Sequence, residues 1–127
     1  MIVGCDGLSK ERVLKAIMDL GLSEVDAEVY VYLALNGPCK ARDVLGKMEI
    51  YKEQLYRSIK NLKEKDIVFA SVGFPAEFSA IPFDKVLDLL SEIKKRQAEA
   101  LKAINEYLLD NWESMLEQNN NHNNEHN

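Results

Sequence analysis

Two short amphipathic segments joined by two residues, with an immediate change of hydrophobic period behind them, constrain this chain more than any other feature. Val44, Leu45 and Met48 fall on one side of a short helix expected over about Ala41 to Met48. Glu49 and Ile50 leave room only for a tight connection. Leu55, Ile59 and Leu62 then share a narrow arc of a second helix, about Tyr51 to Lys65, with Tyr56 at its border. Helix, short turn, helix is a motif with its own geometry. Behind Asp66 the period falls to two. Ile67 to Val72 is rich in β-branched and aromatic residues, Gly73-Phe74-Pro75-Ala76 reads as a turn, and Glu77 to Ile81 alternates polar and apolar.

The segments upstream read as two more helices. Ser9 to Leu20 carries Val13, Leu14, Ile17, Met18 and Leu20 at helical spacing, with Ser9 as cap and Gly21 as stop. Ser23 to Asn36 starts at a second serine cap, carries Val25, Val29, Val31, Tyr32, Leu33 and Leu35, and ends at Asn36-Gly37-Pro38. Helices followed by a hairpin in this order imply a winged helix-turn-helix over residues 1–82. Pro82 breaks the last strand, and Asp84 is placed to cap a long helix running to about Glu117. Its seam is Val86, Leu90, Ile93, Gln97, Leu101, Ile104, Leu108, Trp112 and Met115. A helix of that length reaches about 50 Å, more than a compact body can cover. The expected cover is the same helix of a second chain, in a coiled coil with Leu90, Ile93, Gln97, Leu101, Ile104, Leu108 and Trp112 as interface. Residues 118–127, almost all Asn, His and Glu, are expected to be disordered. The fold class is therefore mainly α with a small β-hairpin wing, plus a long C-terminal dimerisation helix over residues 83–117.

Charge is uneven along the chain. The net charge is −5, which on its own argues against a nucleic-acid partner. Residues 40–66, however, hold eight of the sixteen Lys and Arg against five acids, a local +3. A basic segment in an acidic protein can still present one face to phosphate.

Several short stretches resemble one family. Leu20-Gly21-Leu22-Ser23, followed by Asp26-Ala27-Glu28-Val29-Tyr30, resembles the opening of TrmB-like winged-helix domains, a family of mostly archaeal transcriptional regulators. Gly37-Pro38 is similar to the dipeptide before that family's second helix. Leu55-Tyr56 with Leu62, then Glu64-Lys65-Asp66-Ile67-Val68, resembles its recognition helix and exit. Gly73, Pro75 and Phe78, then Ala80-Ile81-Pro82, resemble its wing. The resemblance spans about Leu20 to Leu90. It implies a winged-helix fold, double-stranded DNA as partner, and Tyr51 to Lys65 as the recognition helix. Three departures stand out. The family's basic wing turn is here Phe74, Ala76 and Glu77; the proline at the start of its recognition helix is Tyr51; and no sugar-binding effector domain follows the wing.

On that reading the candidate DNA-binding residues are Lys40, Arg42, Tyr51, Lys52, Gln54, Arg57, Lys60 and Asn61. Arg57 suits guanine, and Gln54 and Asn61 suit adenine, through paired hydrogen bonds. Lys40, Arg42 and Lys52 suit phosphate. Glu53 and Arg57, like Lys60 and Glu64, stand four apart and could instead be ordinary surface pairs. Tyr30 and Tyr56 read as mutual core partners. Phe74, at the wing tip, suits a minor-groove wedge, a protein contact, or packing back on the body.

Enzymatic chemistry finds little purchase. Both histidines, His122 and His126, lie in the tail, which removes His-dependent nucleophile activation elsewhere. No Gly-rich phosphate loop or zinc motif occurs, and no cofactor, metal or small-molecule effector is implied. Cys5 and Cys39 read as plain thiols, with redox sensing as a minor alternative. No signal peptide or apolar span is evident, so the expected location is cytoplasmic. The expectation is thus a homodimeric, sequence-specific DNA-binding regulator; the rival is a winged-helix protein-interaction module with little DNA affinity.

Overall fold

The computed structural model describes residues 9–126, with side chains to residue 120. Cys5 and the side chains of His122 and His126 lie outside the described residues.

Helix α1 (Lys10–Asp19) begins where Ser9 accepts a hydrogen bond from the Arg12 amide (3.3 Å). Helix α2 (Glu24–Asn36) begins the same way, with Ser23 Oγ accepting from the Asp26 amide (3.1 Å). Each cap satisfies one of the donors that a helix start leaves orphaned. Gly37, at φ 72°, ends α2 in a conformation that favours glycine. A two-residue strand β1 (Cys39–Lys40) follows, then helix α3 (Ala41–Lys47) and helix α4 (Lys52–Glu64). The hairpin is β2 (Val68–Ala70) and β3 (Glu77–Ala80), and the chain ends in α5 (Phe83–His126).

The sheet has three antiparallel strands in the order β1-β3-β2, so β3 is central. Cys39 lies opposite Phe78, and Val68 opposite Ala80. Strand β1 was not expected from the sequence, because two residues show no period.

Contact clustering divides the chain at Ser91. In the first unit, α2 is the central element. Val29, Tyr30, Val31 and Leu33 are all buried on it, and α1, α4 and β3 pack around it. Ile17, Val44, Leu55, Leu62, Ile67 and Val68 complete the core. Burying each such side chain stabilises by about 1.5–3 kcal/mol. Tyr30 is tied in by its phenol, which donates to the Ile81 carbonyl (2.7 Å).

Four expectations need correction. Tyr56 is not a core partner of Tyr30, because it stands 47% exposed on α4. Leu90 belongs to the core of the first unit beside Val86, at 2% exposure, and not to a dimer seam. Asp84 is a first-turn acid in α5; the opening bonds go from the Lys85 and Val86 amides to the Pro82 carbonyl. The tail expected to be disordered is helical to His126, since a helix once nucleated gains one bond per added residue. The second unit is the rest of α5, residues 92–127. Among the described residues, no helix is long and apolar enough to cross a membrane.

Burial first, and the negative charge of Asp84 second, push the Tyr30 phenol up to about 12. The fold therefore favours the neutral phenol. The stability it contributes is whole below pH 10, where an unfolded tyrosine titrates, and is lost as pH rises toward 12. Tyr30→Phe is expected to cost about 1 kcal/mol at pH 7 through the lost hydrogen bond. It should also flatten the fall in stability between pH 10 and 12, as urea unfolding at stepped pH will show.

Candidate nucleic-acid interface

One stripe of α4, comprising Leu55, Ser58, Ile59 and Leu62, is buried, and α4 packs on α2 and β2. At about 100° per residue, the opposite side carries Lys52, Glu53, Tyr56, Arg57, Lys60, Lys63 and Glu64, all exposed. The helix is held at both ends. At its start, Gln54 Oε1 accepts from the Tyr51 amide (2.9 Å). At its end, the Asp66 amide donates to Lys63 (3.0 Å) and the Ile67 amide to Leu62 (2.9 Å), with Asp66 left-handed at φ 62°. That is the paired helix-terminating pattern in which a left-handed residue satisfies the last carbonyls.

The expected site residues separate into three places. Lys52, Arg57 and Lys60 stand on the exposed crest of α4, with Tyr51 at its N-terminal end, 76% exposed. Gln54, Arg57 and Asn61 line a small concavity with Ser23, Val25, Asp26 and Ser58, beside the start of α2. Gln54 and Asn61 are half-buried there. Lys40 and Arg42 lie outside both, at the β1–α3 junction, where the Lys40 amide donates to Asp43 (3.2 Å). On its other side α4 shares a groove with the wing, lined by Tyr56, Ile59, Lys60, Lys63, Glu64, Ala70, Ala76 and Phe78.

Electrostatics favour an open crest. Among the described residues, Glu53 forms no ion pair with Arg57, nor Lys60 with Glu64. The Lys52 ammonium lies 6.0 Å from the Tyr56 ring centroid, a weak cation–π contact. Tyr56 is the residue missed from the sequence. It stands four positions from both Lys52 and Lys60, so the helical period alone could have placed it on the crest. Gln54 is the residue over-read: with its carbonyl oxygen capping the helix, it lacks the acceptor that a paired contact to adenine needs.

The wing differs from the crest. From Asp66 to Asp84 the chain has three acids and no base. Val72 and Phe74 are fully exposed at its tip, and Phe69 half-exposed. Phe74 therefore does not pack back on the body. Cys39 is buried at 8% and its thiol donates to the Gly37 carbonyl (3.1 Å). Burial, then the charges of Asp43 and Glu77, push that thiol up, the reverse of what a redox-sensing cysteine needs.

Against known families, the model described as sugar-specific transcriptional regulator TrmB matches residues 17–84, more than half of the chain. The chain belongs to the TrmB family. The match covers α2 to β3, the elements that build and flank the crest. Among solved structures, the TrmB-family chain is similar to TrmBL2, an archaeal chromatin protein whose structure shows a novel mode of DNA binding, with TM-score 0.66 and 22% identity. That similarity covers 87% of this chain and 46% of TrmBL2, so the chain spans about half the length of that protein. A possible transcriptional regulator from Methanosarcina mazei Go1 is similar at TM-score 0.55 and 19% identity, over 78% of this chain and 88% of that one. A MarR family transcription regulator is similar at TM-score 0.52 and 7% identity, over 74% and 66%. At these identities the structures establish the winged-helix fold. Sequence comparison with curated proteins gives no match. The family and these structures are described as regulators or, for TrmBL2, a chromatin protein, and none as an enzyme.

Because Gln54 works as a cap, Gln54→Ala is expected to destabilise the TrmB-family fold by about 0.5–2 kcal/mol. Gln54→Glu keeps the acceptor and should retain most of that stability. Denaturant midpoints of the two variants give the comparison.

Proposed function

We propose that the chain is a DNA-binding transcriptional regulator that acts as a homodimer, with α4 entering the major groove. The observation that carries this reading is the crest of α4. Lys52, Arg57 and Lys60 are exposed and, among the described residues, form no ion pair. Membership of a regulator family and the DNA binding described for TrmBL2 support the same partner.

In this reading Arg57 contacts a base edge, guanine by preference, and Asn61 reaches from the flank. Lys52 and Lys60 meet phosphate, as do Lys40 and Arg42 from the β1–α3 junction. Tyr51 and Tyr56 add contacts along the crest, and Gln54 positions the helix start. Residues 1–82 form the DNA-reading module, with the first turns of α5 completing its core through Val86 and Leu90. The homodimer forms along the rest of that helix through Ile93, Gln97, Leu101, Ile104, Leu108 and Trp112. Two modules on one dimer address two half-sites.

Fluorescence anisotropy on duplex DNA across a salt series tests the reading. Affinity should fall steeply with salt. Lys52→Ala should weaken all sequences alike and make the log–log slope shallower by about 0.9, one phosphate contact. Arg57→Ala should cost about 1–3 kcal/mol on a selected site and less on random DNA. Binding that ignores salt, or that is unchanged in both variants, would contradict the proposal.

One observation favours a second reading. The wing has no base and exposes Val72 and Phe74, which suits an apolar protein contact better than phosphate. If the chain is a protein-docking module, it will show little DNA affinity even at low salt.

A further inference from the structure

The second unit presents a stripe with a charge asymmetry. On α5, Leu101, Ile104, Leu108, Trp112 and Met115 are all more than half exposed, and at about 100° per residue they fall within roughly 80° of one another. Residues 92–102 carry Lys94, Lys95, Arg96 and Lys102 against Glu92 and Glu99, a net of +2. Residues 103–117 carry Glu106, Asp110, Glu113 and Glu117 and no base, a net of −4. Lys95, Lys102, Glu106 and Glu113 also lie on one flank of the stripe, within roughly 40°.

These charges choose a direction for the occupant. In parallel, in-register pairing, the acidic half of one helix lies level with the acidic half of the other, and basic with basic. Antiparallel pairing reverses both repulsions. It also sets the same flank of the two helices together, so that Lys95 and Lys102 of one copy meet Glu113 and Glu106 of the other. Charges flanking an apolar seam are what set partner choice and orientation in paired helices.

We infer that the stripe is covered by a second copy of the chain running antiparallel, with Leu101 level with Leu108 and Gln97 level with Trp112. This rests on the homodimer reading above and adds its geometry. The register accounts for the two unusual members of the seam, because the indole lies over the aliphatic stem of the glutamine. It also sets the two Glu92 residues roughly 38 Å apart along the pair. Half-sites one turn of DNA apart are separated by roughly 34–36 Å. Parallel helices would bring the two Glu92 side by side.

Disulfide trapping in the full chain tests the direction. Gln97→Cys, Trp112→Cys and the double variant are made with Cys5→Ser; Cys39 is buried and stays. Light scattering first establishes the oligomer, and non-reducing gels read the product of mild oxidation. Antiparallel pairing predicts at least tenfold more crosslinked dimer for the double variant than for either single. Equal crosslinking of the singles is the parallel result and overturns the inference. A dimer with no crosslink in any variant places the interface elsewhere and overturns it as well. A parent chain that is monomeric at micromolar concentration removes the homodimer reading itself, which is a separate failure. Should Trp112→Cys loosen the dimer, Leu101→Cys, Leu108→Cys and their double variant carry the same comparison.

Discussion

The packing of Leu55, Ser58, Ile59 and Leu62 beneath α2 is the constraint on which the functional face depends. A helix has two sides, and burying one stripe decides where the other points. With Leu55 and Leu62 fully buried, rotation of α4 about its axis would expose apolar surface and bury charge, at a cost of several kcal/mol. The crest of Lys52, Tyr56, Arg57 and Lys60 is therefore oriented by the core and not by its own interactions. Ser58 adds a polar atom to that buried stripe; its hydroxyl has no partner among the described residues, and it borders the concavity shared with Gln54, Arg57 and Asn61.

The ends of α4 complete the positioning. Gln54 folds back on the Tyr51 amide, and Asp66 turns the chain so that Ile67 enters the core and β2 begins. Ser71 then closes the wing from both sides. Its amide donates to the Glu77 carbonyl, and its hydroxyl accepts from the Glu77 amide. The result is a cationic helix beside an apolar, anionic wing. The two surfaces have different chemistry and suit different contacts, which explains how a chain with net charge −5 can still offer phosphate a compatible face.

Much of this was legible in the residues. Ser9 and Ser23 announced two helix starts, and both cap as expected. The switch from a period of about 3.6 to 2 behind Asp66 located the hairpin. What failed did so for physical reasons. Strand β1 is two residues long and takes its identity from β3, a partner far along the chain. Leu90 follows the same spacing as Leu101, and periodicity cannot say where a long helix leaves one core and starts toward another surface. Tyr56 looked apolar enough to bury, but its position on the helix, four from Lys52 and Lys60, outweighed its ring. Gln54 read as a base contact because side-chain type was weighed before capping geometry.

The most direct measurement is an amide chemical-shift map of the full-length protein titrated with a short duplex at moderate salt. The account predicts that the largest changes fall on Tyr51 to Asn61 and on Lys40 to Arg42, with the α1–α2 core nearly silent. Changes confined to the wing or to the C-terminal helix, with α4 unmoved, would contradict it.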